Sequence, residues 1–178
     1  MKKVAKFEKV SFEQFEKDYR DCFTPNDFDE FDEEEMTSEE IRKIWEAIEL
    51  PKRSTKDSAG YDFVTPVPIA LLPNKREKIP TGIRCRIDKG WILKLYVRSN
   101  VGFKYEVVLT NGTGIIDSDY FYADNEGHIF VKLRNDGERN YIAKAGERFV
   151  QGVFVEFGIT VDDDATGERK GGIGSTGK

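Results

Sequence analysis

The sequence predicts a mainly β protein, a sandwich or jelly roll of short strands, with a helical extension before it and a flexible glycine-rich arm after it. Three observations predict this. Apolar residues recur with a helical period before residue 50 and with a period of two after it. The period-two runs are short and separated by Gly- and Asn-rich turns. No βαβ unit occurs anywhere, which leaves an antiparallel all-β arrangement.

Taken in order, Ser11 with Gln14 and Thr37 with Glu40 read as capping boxes, in which a side chain and a backbone donor satisfy each other at a helix start. Two helices are expected there. Phe12, Phe15 and Tyr19 share one helical face, as do Ile41, Ile44, Trp45 and Ile48, so each helix lays an apolar stripe on something larger. Between them, TPNDFDEFDEEEM lacks the Gly and the spaced Glu of a calcium loop and reads as a solvated acidic loop.

After Pro51, Ile83, Cys85 and Ile87 alternate with charged residues, the turn DKG follows, and Trp91, Leu93, Leu95 and Val97 alternate in turn; this predicts a hairpin. HIFVKLRN, with Ile129, Val131 and Leu133 inward, predicts another strand, and RFVQGVFVEF one with Phe149, Val153 and Val155 inward. From residue 157 glycine and charge dominate, so the segment buries little. The expected division is a helical extension over 1–50, a β domain over 51–160 and an arm over 161–178.

The chain has 178 residues and is 38% hydrophobic and 12% aromatic, enough for one ordinary core. A net charge of -5 with no basic stripe excludes a nucleic-acid backbone as partner. No apolar run approaches a membrane span, and MKKVAKFEKV lacks the apolar region of a secretory signal, so the expected location is cytoplasmic. Cys22 and Cys85 have no CxxC partner and read as reduced thiols. GIGSTGK fits the core of a phosphate-binding P-loop, but no strand precedes it and no helix follows. What survives is a run of glycines whose N–H groups can approach an anion, helped by Arg169, Lys170 and Ser175.

The stretch GTGIIDSDY drives an apolar run into two carboxylates, Asp117 and Asp119. As a strand it sets both on one face, with Ile116 and Tyr120 on the other; as a turn, DSD is ordinary polar punctuation. Its companions decide. SAGYDF (58–63), VRSNVGFK (97–104), NGTGIIDSDY (111–120), AGERFVQGVF (145–154) and GGIGSTG (171–177) follow one another in the order of five motifs, and PTGI (80–83) has the same look. In these the sequence closely resembles the homotrimeric dUTP pyrophosphatase (dUTPase) family, over about residues 51–178.

The resemblance implies a distorted jelly roll (β-clip) and hydrolysis of dUTP to dUMP and pyrophosphate with magnesium. That activity limits uracil in DNA and supplies dUMP for thymidylate synthesis. It also implies a homotrimer whose three sites are each built from all subunits. On this resemblance Asp117 is the carboxylate that deprotonates the attacking water, a role worth about 10²- to 10⁴-fold. Tyr120 lies under the deoxyribose. Asn111, Gly114 and Ile116 belong to the hairpin that pairs with uracil. Arg98, Ser99, Asn100 and Gln151 serve the phosphates, with Arg169, Gly174 and Ser175 of the arm, and Asp62 reaches Mg2+ through water.

Three departures stand out. VRSNVGFK lacks the family's usual Pro before the Arg and Ala near its end; FYADNEG is longer than the usual link; and Ile173 replaces a Phe that stacks on uracil, leaving Phe121 and Tyr122 as rings that could substitute. His128, the only histidine, reads as a strand residue, and Arg148 as a structural ion pair. Two other readings are a dCTP deaminase, which shares the fold and the RS signature but not IDSDY or GGIGSTG, and a non-catalytic nucleotide-sensing or partner-binding module.

Overall fold

The computed structural model describes residues 1–23 and 35–171. Most of the acidic loop, and Ile173, Gly174 and Ser175 of the arm, lie outside the described residues. The elements are β1 (Ala5–Lys9), α1 (Phe12–Phe23), α2 (Ser38–Ala47), β2 (Lys52–Arg53), β3 (Tyr61–Val64), β4 (Ile69–Leu71), β5 (Arg76–Pro80), β6 (Ile83–Ile87), β7 (Trp91–Val97) and α3 (Ser99–Tyr105). They continue with β8 (Val107–Leu109), β9 (Gly114–Ile116), a 3-10 turn (Ser118–Tyr122), β10 (Phe130–Asn135), β11 (Tyr141–Ala143) and β12 (Arg148–Glu156).

All strand pairs among the described residues are antiparallel. The largest sheet runs β2-β3-β12-β7-β9, and around it stand β5-β10-β8, β11-β4 and β1-β6. The layers meet through inward side chains such as Phe63, Ile79, Leu93, Leu133 and Phe149, all buried. The expected mainly β, jelly-roll-like architecture is what forms.

Two local readings are corrected. The DKG turn is present, with Gly90 at φ 85° and the Trp91 N–H bonded to Asp88 O, but β6 and β7 are not paired as a hairpin. β6 pairs with β1, and β7 lies between β12 and β9. The turn reverses the chain at a corner between sheets; the edge of β6 is taken by a strand that the helical reading of the N-terminus did not include. The inward set of β12 also changes phase. A bulge between Arg148 and Val150 buries both Phe149 and Val150, after which Gly152 and Phe154 face the core while Val153 and Val155 turn to the other face.

The N-terminal segment is built into the core. Phe7 of β1 sits among Tyr61, Phe63 and Phe154, at ring distances of 5.4, 5.6 and 5.7 Å. Thr37 and Glu40 complete their capping box. Ser11 accepts from the Gln14 N–H, but the reciprocal partner is Glu126, whose carboxylate takes the Ser11 N–H and hydroxyl at 2.8 and 2.6 Å. At the other end of α2, the Lys9 ammonium donates to the carbonyls of Trp45 and Glu46, and Trp45 Nε1 donates to Val10 O. Phe12, Phe15, Ile41 and Ile48 are all buried.

His128 lies just before β10 rather than within a strand, and it is fully buried. Its Nε2 accepts the Gly82 N–H at 2.7 Å and its Nδ1–H donates to Asp18 of α1 at 2.6 Å. Gly82 sits at φ 70°, and a Cβ there would overlap the Ile48 side chain, so the PTGI segment needs glycine at this crossing. Burial pushes the imidazole below its ordinary value and outweighs the nearby Asp18 carboxylate. Burial pushes the Asp18 carboxyl up, but hydrogen bonds from His128 and Gln14 outweigh it and hold the group below the usual carboxylate value. The neutral imidazole is therefore the form that this packing requires.

A histidine whose pKa is depressed on folding contributes stability that is whole above its unfolded pKa of about 6.5 and is lost as pH falls below it. Thermal unfolding scans from pH 8 to 5 are expected to show a level Tm down to about pH 6.5 and a decline beneath it. A Tm that stays level to pH 5 would remove His128 from this role.

Candidate active site

The first cluster is an anion-ready pocket at the end of β7. Its cavity of about 350 Å³ is lined by Ser54, Ser58, Gly60, Asp62, Arg98, Ser99, Asn100 and Gln151. Three elements position it. β3 and β12 pair Asp62 with Gln151, and α3 begins at Ser99 with Arg98 as its N-cap. Asp62 is nearly buried; it forms an ion pair with Arg98 Nε at 2.9 Å and accepts from Arg148 Nη1 at 3.2 Å and Ser54 Oγ at 2.6 Å. Arg148 makes the structural ion pair expected of it. The carboxylate locks both arginines in place and leaves hydroxyl, amide and guanidinium donors facing the cavity.

A second cavity, of about 540 Å³, opens beside the β7–β9 pair. Asn111 and Gly114 line it together with Leu95, Leu109, Thr110, Phe130, Lys132, Lys78 and Asp18. The last four come from β10, β5 and α1, and no motif spacing announces them. One signal was available: Phe130 is an aromatic residue on the otherwise polar phase of β10, alongside Lys132 and Arg134. Ile116 pairs with Leu93 and packs its side chain against the core, so only its backbone can face a ligand.

The third cluster follows directly. β9 ends at Ile116, and Asp117 starts the 3-10 turn, so strand alternation stops before Asp119. The two carboxylates nevertheless converge on one cation: Arg169 Nη2 donates to Asp117 at 2.7 Å and its Nε to Asp119 at 2.9 Å. The same guanidinium lies over the Tyr120 ring, 5.6 Å from its centroid. Tyr120 is buried, which pushes its phenol up; its hydroxyl donates to His128 O at 2.7 Å and accepts from Asn125. Of the rings considered as substitutes for the missing Phe, Phe121 is buried beneath Arg84 and Arg86, while Tyr122 is exposed.

The chain brings Asp62, Arg98, Ser99, Asn100 and Gln151 together, but it does not bring them to Asp117. Val97 is opposite Val150, whereas Ile116 is opposite Leu93, so the first and third clusters lie about five strand residues apart. That is roughly 17 Å at the rise of an extended strand.

Among the described residues no group of three or more His, Cys, Asp or Glu could hold a metal. The donor set fits an ion that keeps its waters and arrives on phosphates, with a single carboxylate, Asp62, at the rim. Burial pushes the thiols of Cys22 and Cys85 up to about 11 and about 12, so neither is a thiolate ligand or nucleophile. Among the described residues no helix is long and apolar enough to cross a membrane.

These clusters have relatives. The dUTPase family profile matches residues 46–177. The deoxyuridine 5'-triphosphate nucleotidohydrolase of Lactococcus lactis is 42% identical over 133 residues, covering 73% of this chain and 89% of that protein. The enzyme of the same name from Paraburkholderia xenovorans is 38% identical over 139 residues, covering 73% and 90%. The crystal structure of dUTPase from Streptococcus mutans superposes with a TM-score of 0.58 at 38% identity, over 64% of this chain and 89% of that one. A dUTPase from phage phi11 of S. aureus, described as coordinating a structural Mg(II) ion, superposes with a TM-score of 0.56 over 67% and 91%; at 20% identity it bears on the fold alone. A profile match across most of the chain, with relatives well above 30% identity, shows that this chain belongs to the dUTPase family.

Proposed function

We propose that the protein hydrolyses dUTP to dUMP and pyrophosphate. The observation that carries this is that one chain holds both a donor-lined anion pocket and, at the end of β9 beyond the cavity lined by Asn111 and Gly114, an accessible carboxylate, Asp117. Asn111 and the backbone around Gly114 would meet the uracil edge. Cytosine presents the opposite donor and acceptor pattern there and would leave buried groups unpaired. Arg98, Ser99, Asn100 and Gln151 would receive the phosphate oxygens, and Tyr120 the sugar. Asp117 would orient the attacking water and take its proton as the oxygen meets the α-phosphorus.

Magnesium, when bound with the triphosphate, supplies charge neutralisation along the phosphate chain. Asp62 is the carboxylate that would face it through water, held still by Arg98, Arg148 and Ser54. Arg169 now occupies the ground between Asp117 and Tyr120, so it must leave when water and sugar arrive and would then be free to meet phosphate. The arm from residue 161, with Ile173, Gly174 and Ser175, would close over the substrate.

The separation of Asp117 from the phosphate donors supports a homotrimer in which one chain's β9 and Asp117 face a neighbour's pocket. The outer face of the five-stranded sheet supports it too. Ile92, Tyr96, Ile115, Val153 and Val155 lie there around Lys94, and none of them is buried in the single chain. That is more apolar surface than a monomer would leave on a solvent-facing sheet.

The test is to mix the protein and magnesium with each deoxynucleoside triphosphate in turn. Pyrophosphate from dUTP alone is expected; ammonia from dCTP would mark a deaminase, and neither product a sensing module. Asp117→Asn is expected to keep KM and lose about 10²-fold or more in kcat, because the amide still orients water but cannot take its proton. Wild-type turnover in that variant would take Asp117 out of the mechanism. A Cβ at Gly60 would stand 2.5 Å from Gln151 Oε1. Gly60→Ala should therefore push that amide out of the pocket and raise KM for dUTP by about three- to tenfold, with Tm nearly unchanged. Unaltered KM would show that Gln151 does not touch the phosphates.

A further inference from the structure

The N-terminal helix lies ahead of the family match, which begins at residue 46, yet it contributes a wall to the cavity that holds Asn111 and Gly114. Asp18 of α1 lines that cavity. Among the described residues its two hydrogen bonds fall on Oδ2, from His128 Nδ1 at 2.6 Å and from Gln14 Nε2 at 2.8 Å. His128 is thereby fixed between Asp18 and the Gly82 N–H, and it transmits that position in two directions. Its ring packs on Phe130, with centroids 4.5 Å apart, and the Lys78 ammonium lies 4.2 Å from the Phe130 centroid. Its carbonyl oxygen accepts the Tyr120 hydroxyl at 2.7 Å. One carboxylate on α1 therefore holds the residue that sets both the ring in the cavity wall and the tyrosine next to Asp117.

We propose that Asp18 is a positioning residue for the nucleoside, which through His128 fixes Phe130 in the wall of the base cavity and Tyr120 beside it. The proposal rests on the reading of this cavity as the deoxyuridine site. It makes the helical extension part of the substrate-binding machinery, where its apolar stripes alone imply only a stabilising brace. Removing the carboxylate leaves the His128 Nδ1–H without a partner in a buried site, so the ring keeps only its Gly82 anchor, and both the Phe130 ring packed on it and the backbone carbonyl that receives the Tyr120 hydroxyl lose support. The consequence falls on ground-state binding of the nucleoside, because the contacts end on Phe130 and Tyr120, whereas the Asp117 side chain is held separately by Arg169.

The experiment is steady-state dUTP hydrolysis with thermal unfolding measured in parallel. Asp18→Ala is expected to raise KM about tenfold while kcat stays within about twofold. Asp18→Asn keeps an oxygen acceptor for the imidazole and should return KM to within about threefold of wild type. Gln14→Ala removes only the second bond on Oδ2, at a half-buried position whose backbone cap survives, and should raise KM about two- to threefold with Tm preserved. Wild-type KM in folded Asp18→Ala, or a loss confined to kcat, overturns the proposal. Should Asp18→Ala fail to fold, wild-type KM in Gln14→Ala overturns it instead. A wild-type protein that releases no pyrophosphate from dUTP sinks the functional reading and this one with it; an active enzyme indifferent to Asp18 sinks this one alone.

Discussion

A single buried imidazole ties the parts of this molecule together. His128 is held by a carboxylate from α1 and a backbone N–H from the β5–β6 corner, and its own carbonyl receives the Tyr120 hydroxyl. Helix, sheet corner and site turn therefore share one hydrogen-bonded centre inside apolar packing. In such surroundings a lone unpaired polar atom costs about 1–3 kcal/mol, so the network is favourable only when every member is present. Gly82 makes the approach possible, since any side chain there would collide with Ile48. The Tyr120 hydroxyl completes the same set of bonds from the other side and draws the turn after Asp117 against the core.

From that centre outward, the sheet decides where chemistry can happen. β7 is the spine: α3 begins just beyond its C-terminal end, and β9 pairs with its middle, Leu93 to Leu95. Hydroxyl, amide and guanidinium donors collect at one end because α3 and the β3–β12 pair converge there, and carboxylates collect towards the other because β9 gives way to the 3-10 turn. Electrostatics keeps both in order within one chain, with Asp62 clamped between two arginines and Asp117 and Asp119 sharing Arg169. The carboxylate of the first pair of bridges is sheltered, whereas Asp117 and Asp119 are about half exposed, and ion pairs to exposed carboxylates are weak enough to exchange for a substrate.

The bulge in β12 shows how one residue redirects a face. By spending Phe149 and Val150 on the same side it seals the core beside Val97, and it turns Val153 and Val155 outward, opposite Lys94 and Ile92. A sheet with apolar residues on both faces has a second surface to cover. The strand is thus at once a core element and part of an unpaired outer surface.

Much of this was legible in the residues. Period-two alternation placed Ile83, Cys85, Ile87, Leu93, Leu95, Ile129, Val131 and Leu133 inward, and all are buried; the stripes Phe12–Phe15 and Ile41–Ile48 were equally readable. Alternation reports burial directly because it depends only on the backbone period. Motif order marked the donors around Asp62 and Arg98 and the carboxylates at 117 and 119, since chemistry constrains those residue types locally. Partner choice was not legible. Nothing near DKG says that β6 takes β1 rather than β7, nothing near Ser11 names Glu126 as its cap, and no spacing links Asp18, Gly82 and His128. Those contacts join residues up to 115 positions apart, and they are selected by which edges and faces remain open once the core has closed. The sequence by itself determined the elements, their inward faces and the chemical types at the site; only the tertiary structure decided which of them meet, because pairing is settled by competition for hydrogen-bonding edges across the whole chain.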